Sequence, residues 1–436
     1  MRLDIILHRL VWVGLVAASL AVASTARAIP AFARQFHTSC DMCHTAFPDL
    51  NPTGEAFRRL GYRMPMGHME AAPETVPLGE SASDFPSETF PGELLAQAPI
   101  AAFISTGVSM QRGMPIEDDT SPVQAAAPRD DWALTHGGTE LALLLAGPLG
   151  DRISFFGELA TSGGAIELER ATLTFGLLPP PLLMVTVGKL IPTLNPFIAD
   201  RTVLMDSFVF NTITLGANEW SPNNGDFGVE ASGVLFHRLS WFAGIMEGSG
   251  GALDAQKDYY GRLTYKLGGL ASDGTGSSDH SHLWREYSAA LGTSAYRGSA
   301  LLTDVDALGM PIEQRDSFWR AAVDLDVRLR DLHLVVSGFT QRDEHPMVGD
   351  AGAGTLDGLL AEAEYVVFPW LIPTVRYMLF SEDLPGAGAH GGHRLLAGVT
   401  ALVRENIRVS LFGEGRTDAG NGFHVATLSL RLMAGF

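Results

Sequence analysis

From about residue 99 to Phe436 the chain alternates apolar and polar residues with a period of two. In Val323-Asp324-Leu325-Asp326-Val327-Arg328-Leu329 the apolar side chains fall on one face, and two carboxylates and an arginine on the other. Tyr259, Leu263, Tyr265 and Leu267 stand opposite Arg262, Thr264 and Lys266 in the same way. Glu362 and Glu364 share a face within 361–367, as do Arg408 and Ser410 within 407–411. Successive side chains of a strand point to opposite sides, so this pattern demands strands with one apolar and one polar face. A helix-based fold is excluded for three quarters of the chain.

Three features separate a membrane barrel from a soluble sandwich. About sixteen such segments occur, the first at 99–110 and the last at 422–436, and most are long enough for a tilted membrane strand of ~9–11 residues. Tight turns at 147–150, 178–181, 237–238, 329–330, 368–369 and 404–406 alternate with longer connections such as 111–131, 191–224, 298–316 and 343–354. Short periplasmic turns and long outer loops are the rule in outer-membrane barrels. The stretch 268–285 falls on the short side and breaks that rule. Finally, Leu428, Leu430, Leu432, Ala434 and Phe436 line one face of the last segment, which ends on an aromatic like the C-terminal assembly signal of bacterial outer-membrane barrels. Composition agrees: charged residues are 18% and hydrophobic residues 46%, diluted evenly rather than gathered into helical spans. The expected fold is an all-β transmembrane barrel of about sixteen antiparallel strands, closed because backbone groups in lipid must pair internally. Its lumen is expected to be aqueous, with Arg152, Glu158, Arg262, Lys266, Asp324, Asp326, Arg328, Glu362, Glu364, Arg376, Arg408, Glu414 and Arg431 facing inward.

The N-terminal quarter is different. Arg2 and Arg9, an apolar stretch over 10–22 and Ala26-Arg27-Ala28 make a signal peptide of residues 1–28. Residues 29–66 hold helix signals and both cysteines, and 67–98 form an acidic Pro/Ser-rich linker leading to the barrel at 99–436. Cys40-Asp41-Met42-Cys43-His44 is a C-x-x-C-H motif, the attachment site of a c-type haem. Two thiols one turn apart reach the two vinyl groups, and the adjacent His44 falls beneath the iron as proximal ligand. A thioredoxin-like site wants a βαβ context, and structural zinc wants four N/S ligands. Neither is offered. For the distal iron ligand the candidates are Met64 and Met66, with His37, His68 and Met69 as alternatives. Asn51 can cap a helix beginning at Pro52, and Gly61 can end it, returning the chain toward the iron. A segment of ~40 residues cannot build its own core, so it is expected to lean on the haem and on the periplasmic mouth of the barrel.

The formal net charge of −19 excludes a nucleic-acid binder and favours cations. Acidic clusters at Glu117-Asp118-Asp119, Asp343-Glu344-His345 and Glu382-Asp383 read as solvated loops that suit Fe(II) or Mn(II) in passing. The run Ala28-x-Pro30-x-Phe32-Ala33-Arg34-Gln35, then C-x-x-C-H, Phe47-Pro48-x-Leu50-Asn51, Gly54, Phe57 and Gly61-Tyr62 resembles the fused monohaem cytochrome–porins of the outer membrane. That family includes the outer-membrane iron oxidases of iron-oxidising bacteria. The motifs span roughly 28–62, and the barrel matches in size and pattern. The resemblance implies one covalent haem c at Cys40, Cys43 and His44. It implies electrons entering from an extracellular donor, Fe(II), and leaving to a periplasmic c-type cytochrome, an iron(II):cytochrome oxidoreduction. The alternatives are a porin-like channel with this segment as plug or sensor, and a conduit that exports electrons.

Overall fold

The computed structural model describes residues 31–65, 75–77, 93–96, 98–112, 132–162, 165–197, 202–204, 212–248, 256–276, 282–305, 310–349, 352–386, 388–417 and 423–436. The signal peptide, most of the linker, Met66, His68, Met69 and the Glu117-Asp118-Asp119 cluster lie outside them. Helix α1 (Ala31–Gln35) precedes a short strand pair, β1 (His44–Ala46) and β2 (Asp49–Leu50), and helix α2 (Pro52–Arg59). A second short pair, β3 (Thr75–Pro77) and β4 (Glu93–Leu95), falls within the linker.

The barrel follows in sixteen strands. Its first eight are β5 (Ile100–Arg112), β6 (Trp132–Leu149), β7 (Ile153–Ser162), β8 (Ala165–Gly176), β9 (Met184–Leu190), β10 (Asp226–Leu235), β11 (Leu239–Met246) and β12 (Asp258–Gly268). The second eight are β13 (Glu286–Val305), β14 (Pro311–Arg330), β15 (Leu332–Asp343), β16 (Gly354–Tyr365), β17 (Leu371–Leu384), β18 (Gly388–Arg404), β19 (Ile407–Arg416) and β20 (His424–Gly435). Each strand pairs antiparallel with its sequence neighbour, and β20 returns to β5, from Thr427 opposite Gln111 to Gly435 opposite Phe103. Phe436 completes the seam by exchanging backbone hydrogen bonds with Ala102 at 2.7 and 3.0 Å. Every segment read from the alternation is a strand. No helix among the described residues is long and apolar enough to cross a membrane.

The apolar face of each strand points outward, with Tyr259, Leu263, Tyr265, Leu267, Val323 and Leu325 exposed, as are Leu428, Leu430 and Leu432. Phe236, Tyr287, Phe368 and Trp370 stand exposed at the end that carries the tight turns, where an aromatic girdle belongs. Strand length is uneven around the rim. β13 and β14 have 20 residues each, whereas β9 has 7 and β11 has 8. The connection expected over 298–316 is therefore mostly strand, with Gly298 opposite Phe318 and Val305 opposite Pro311.

The lumen departs from expectation. It is not simply aqueous, because two segments enter it. The described parts of the loop 191–224 fold inward, with Thr202, Val203 and Leu204 completely buried. Phe197 and Leu215 pack on Val335, Phe339, Leu356, Leu360 and Met378 of the wall, and Leu204 packs on Leu396 and Phe412. The N-terminal segment enters from the tight-turn end, where Ala46 meets Val203, Trp284, Val366 and Ile372. The two insertions thus touch inside the barrel. Two pairs of inward charges are closed there: Arg262 clasps Asp324 with two bonds of 2.6 and 2.8 Å, and Arg376 pairs with Glu362, all four side chains buried. Of the acidic cluster 343–345, Glu344 is exposed in a loop as expected, whereas Asp343 is not. Asp343 ends β15 fully buried and, with Asp316, accepts from the Asn218 amide at 2.9 Å, fastening the inserted loop. Glu382 and Asp383 lie within β17 rather than in a loop.

Candidate functional site

The N-terminal segment is assembled by local rules. Cys40–Met42 forms a single 3-10 turn, closed by the Cys43 N–H on the Cys40 carbonyl at 3.2 Å. Asn51 caps α2 by accepting from Gly54 N–H at 2.9 Å, and its amide donates backwards to the Asp41 and Met42 carbonyls at 2.8 and 3.2 Å. One buried side chain therefore ties the cysteine turn to the helix. Pro52 occupies the first helical position. At the other end Gly61, at φ 65°, and the bonds Gly61 N–H to Arg58 O and Tyr62 N–H to Phe57 O make a Schellman stop. Gly54 is required by close approach, since a Cβ there would sit 2.1 Å from the Cys43 carbonyl oxygen. Phe32 stacks on Tyr62 at 5.3 Å and meets Phe57 edge-on at 4.9 Å, giving the segment a small aromatic core of its own.

Cys40, Cys43, His44 and Met64 all line one largely apolar cavity of ≈ 1060 Å³, its open mouth included. Phe32, Phe47, Leu50, Phe57 and Tyr62 supply its apolar wall from the segment, and Leu144, Ala146 and Phe156 from the barrel. Both cysteines are free thiols. Burial pushes the Cys40 thiol up to about 11, helped by the carboxylates of Glu405 and Asp41. Burial likewise pushes Cys43 up to about 12, helped by Cys40 and Asp41. The His44 Nδ1–H donates to the Asp49 carbonyl at 3.2 Å, which fixes the ring and puts its lone pair on Nε2. The donor set fits a c-type haem: two thiols one turn apart, an oriented imidazole, a thioether and an apolar slot. His37 is exposed and does not line the cavity.

The barrel positions this segment from several strands. Arg63 donates to the Gly150 and Ile153 carbonyls at 2.6 and 2.9 Å, Arg34 to Ile100 O at 2.7 Å, and Arg328 of β14 to Leu50 O at 3.4 Å. Glu405 of the β18–β19 turn accepts from Cys40 N–H at 3.3 Å. The long connection 268–285 now has a physical account. Leu270 and Ala271 are buried, Trp284 packs on Ala46, and Gly274, at φ +80°, lies so close to Pro65 that a Cβ would come within 2.6 Å. It is long because it cradles the N-terminal segment.

Arg58 and Arg170 also line the cavity, and neither was foreseen. Strict alternation from Ile166 and Leu168 would turn Arg170 outward. The β7–β8 register skips Glu169, a β-bulge that re-aims Arg170 inward beside Glu158. A second cavity of ≈ 950 Å³ adjoins through the same residues, Arg58, Tyr62, Phe156 and Arg170. Its far wall is lined by hydroxyls of β7–β10, among them Ser154, Thr172, Thr174, Thr186 and Ser232.

With this geometry in hand, known proteins offer a likeness of fold. The chain is similar to a loop-deletion mutant of OmpT, an outer membrane protein of Vibrio cholerae, at TM-score 0.51 and 11% identity, over 78% of this chain and 99% of that one. The in-vitro folded trimer form of OmpT gives TM-score 0.50 and 10% identity, again over 78% and 99%. No protein-family model and no curated sequence matches the chain. The architecture is that of an outer-membrane barrel. The likeness extends to the strands and says nothing of the cysteine segment.

Proposed function

We propose that this protein is an electron conduit of the outer membrane, taking electrons from extracellular Fe(II) and passing them to a periplasmic c-type cytochrome. The reading places the N-terminal segment on the periplasmic side. The observation that carries it is the convergence of Cys40, Cys43, His44 and Met64 on one apolar cavity shared by the segment and the barrel wall. A covalently bound haem c supplies a one-electron acceptor and donor there. The two thiols would tether it, His44 would coordinate through Nε2 while the Asp49 carbonyl holds the ring, and Met64, or Met66 as its alternative, would offer the distal ligand. Phe32, Phe57 and Tyr62 line the slot with apolar surface, which together with a Met ligand would favour a high potential. Each Fe(II) gives up one electron to become Fe(III), so the metal is oxidised without entering the periplasm.

Stopped-flow mixing of the ferric protein with Fe(II) tests the reading. The haem bands are expected to sharpen to the reduced form as iron is oxidised, and to reverse on adding an oxidised periplasmic cytochrome. Haem that stays ferric under excess Fe(II), yet reduces with other donors, rejects iron as the donor. A second reading, a porin-like channel gated by the N-terminal segment, is favoured by the hydroxyl-lined cavity along β7–β10. Single-channel recording separates the two, because a conduit needs no conductance.

A further inference from the structure

Two cations face an otherwise apolar slot, and they stand on the wall that divides it from the lumen. Arg58 comes from the last turn of α2 and Arg170 from β8. Both line the cysteine cavity and both line the adjoining hydroxyl-walled cavity, as do the stacked rings of Tyr62 and Phe156, 6.1 Å apart. Each guanidinium is held in place. The Arg170 Nε donates to Glu158 Oε2 at 2.8 Å, its Nη2 donates to the same oxygen, and its carbon lies 4.4 Å from the centroid of Phe156. The Arg58 Nη2 donates to Glu55 Oε2 at 3.0 Å, and Glu55 also binds Arg59 at 3.1 Å, so that cluster keeps a net positive charge. Two fixed arginines at one edge of an apolar slot are a fork for carboxylates, because guanidinium donors match carboxylate geometry and remain charged when desolvated.

The geometry points to Arg58 and Arg170 as anchors for the two propionate carboxylates of the bound haem. Resting on the function proposed above, this orients the cofactor: its thioether edge lies toward the Cys40 turn and the tight-turn end of the barrel, and its propionate edge toward the lumen. The lumen-facing edge is then the one that a donor arriving through the barrel meets first. β8, through its bulge at Glu169, becomes a part of the site and not merely scaffold.

The test uses the full-length holoprotein. Arg58→Gln, Arg170→Gln and the double variant are compared with Arg58→Lys, Arg170→Lys and a remote control, Arg394→Gln, whose partner Glu414 lies on β19 outside the cavity. Two quantities are read: the haem reduction potential, and the resonance Raman band of propionate bending, which reports hydrogen bonding to those carboxylates. The Gln variants are expected to shift the Raman band and to lower the potential, because losing a nearby cation favours the more positive ferric state. The double variant should shift furthest, the Lys variants should restore the potential, and Arg394→Gln should do nothing. Arg58 belongs to α2 and not to a barrel strand, so Arg58→Gln carries the test if Arg170→Gln fails to assemble. Unmoved bands and potentials in a haem-stained Arg58→Gln protein overturn the anchor and leave the conduit standing. Absence of covalent haem from the wild-type protein overturns both.

Discussion

Two segments share the lumen, and they are held there by different means. The N-terminal segment arrives as a formed unit, with capped and stopped α2, a turn of 3-10 helix and an aromatic core of Phe32, Phe57 and Tyr62. The loop 191–224 shows almost no regular structure of its own among its described residues. Its course is set by the wall: Arg262 donates to Leu194 O at 2.9 Å, Arg376 to Thr202 Oγ1 at 3.0 Å and Arg408 to Val203 O at 2.6 Å. The first segment is docked and the second is laced. A docked unit fails when its internal joints are cut, whereas a laced one fails when the wall lets go.

The contrast breaks first on chemistry. Cys40→Ser with Cys43→Ser should abolish haem staining of the denatured protein while the barrel still assembles and the loop stays in place. Haem stain that survives the double substitution would falsify the assignment. Next in size is Arg376→Ala, which strands Glu362 in a buried site and should cost ~3–5 kcal/mol. Urea unfolding of the folded barrel should show that loss, and trypsin should then cut within 191–224 while sparing the N-terminal segment. Cleavage of both segments at equal rates means that they are not independent.

Smaller effects should run the other way. Gly54→Ala forces a methyl against the Cys43 carbonyl and should destabilise the N-terminal segment by ~1–3 kcal/mol. Native-state hydrogen exchange should find faster opening of α2 and unchanged protection of β12–β19. Asn51→Ala removes the helix cap together with two bonds to the cysteine turn, at a cost of ~0.5–2 kcal/mol by the same measurement. If α2 exchanged no faster in either variant, the segment would owe its form to the barrel and not to its own joints.

What was legible in the sequence followed from locality. Period-two alternation is written residue by residue, so Val323–Leu329 and Tyr259–Leu267 announced their strands. The Asn51-Pro52 start and Gly61 stop of α2 are equally local, and so is the Cys40 to His44 spacing. The failures involve partners far apart in the chain. Leu360, Ile372 and Leu396 occupy inward positions because an inserted loop covers them, and nothing in their own strands says so. Asp343 read as solvated because its partner Asn218 lies 125 residues away. Arg170 was hidden by a one-residue bulge, which reverses every later side chain on its strand. The β13–β14 hairpin ran past its expected end because Gly298-Ser299 interrupts the apolar count while backbone pairing continues.

The uneven rim has a consequence for traffic. Twenty residues at ~3.3 Å each give β13 and β14 a run of ~66 Å along the strand, against ~23 Å for the seven of β9. A doorway with one high jamb and one low sill does not open straight outward. Among the described residues the rim is lowest at β9 and β11 and highest at β13 and β14. The described parts of the connection 191–224 bridge the two levels, because Asn218, a few residues before the start of β10, is bonded to Asp316 of β14 and Asp343 of β15.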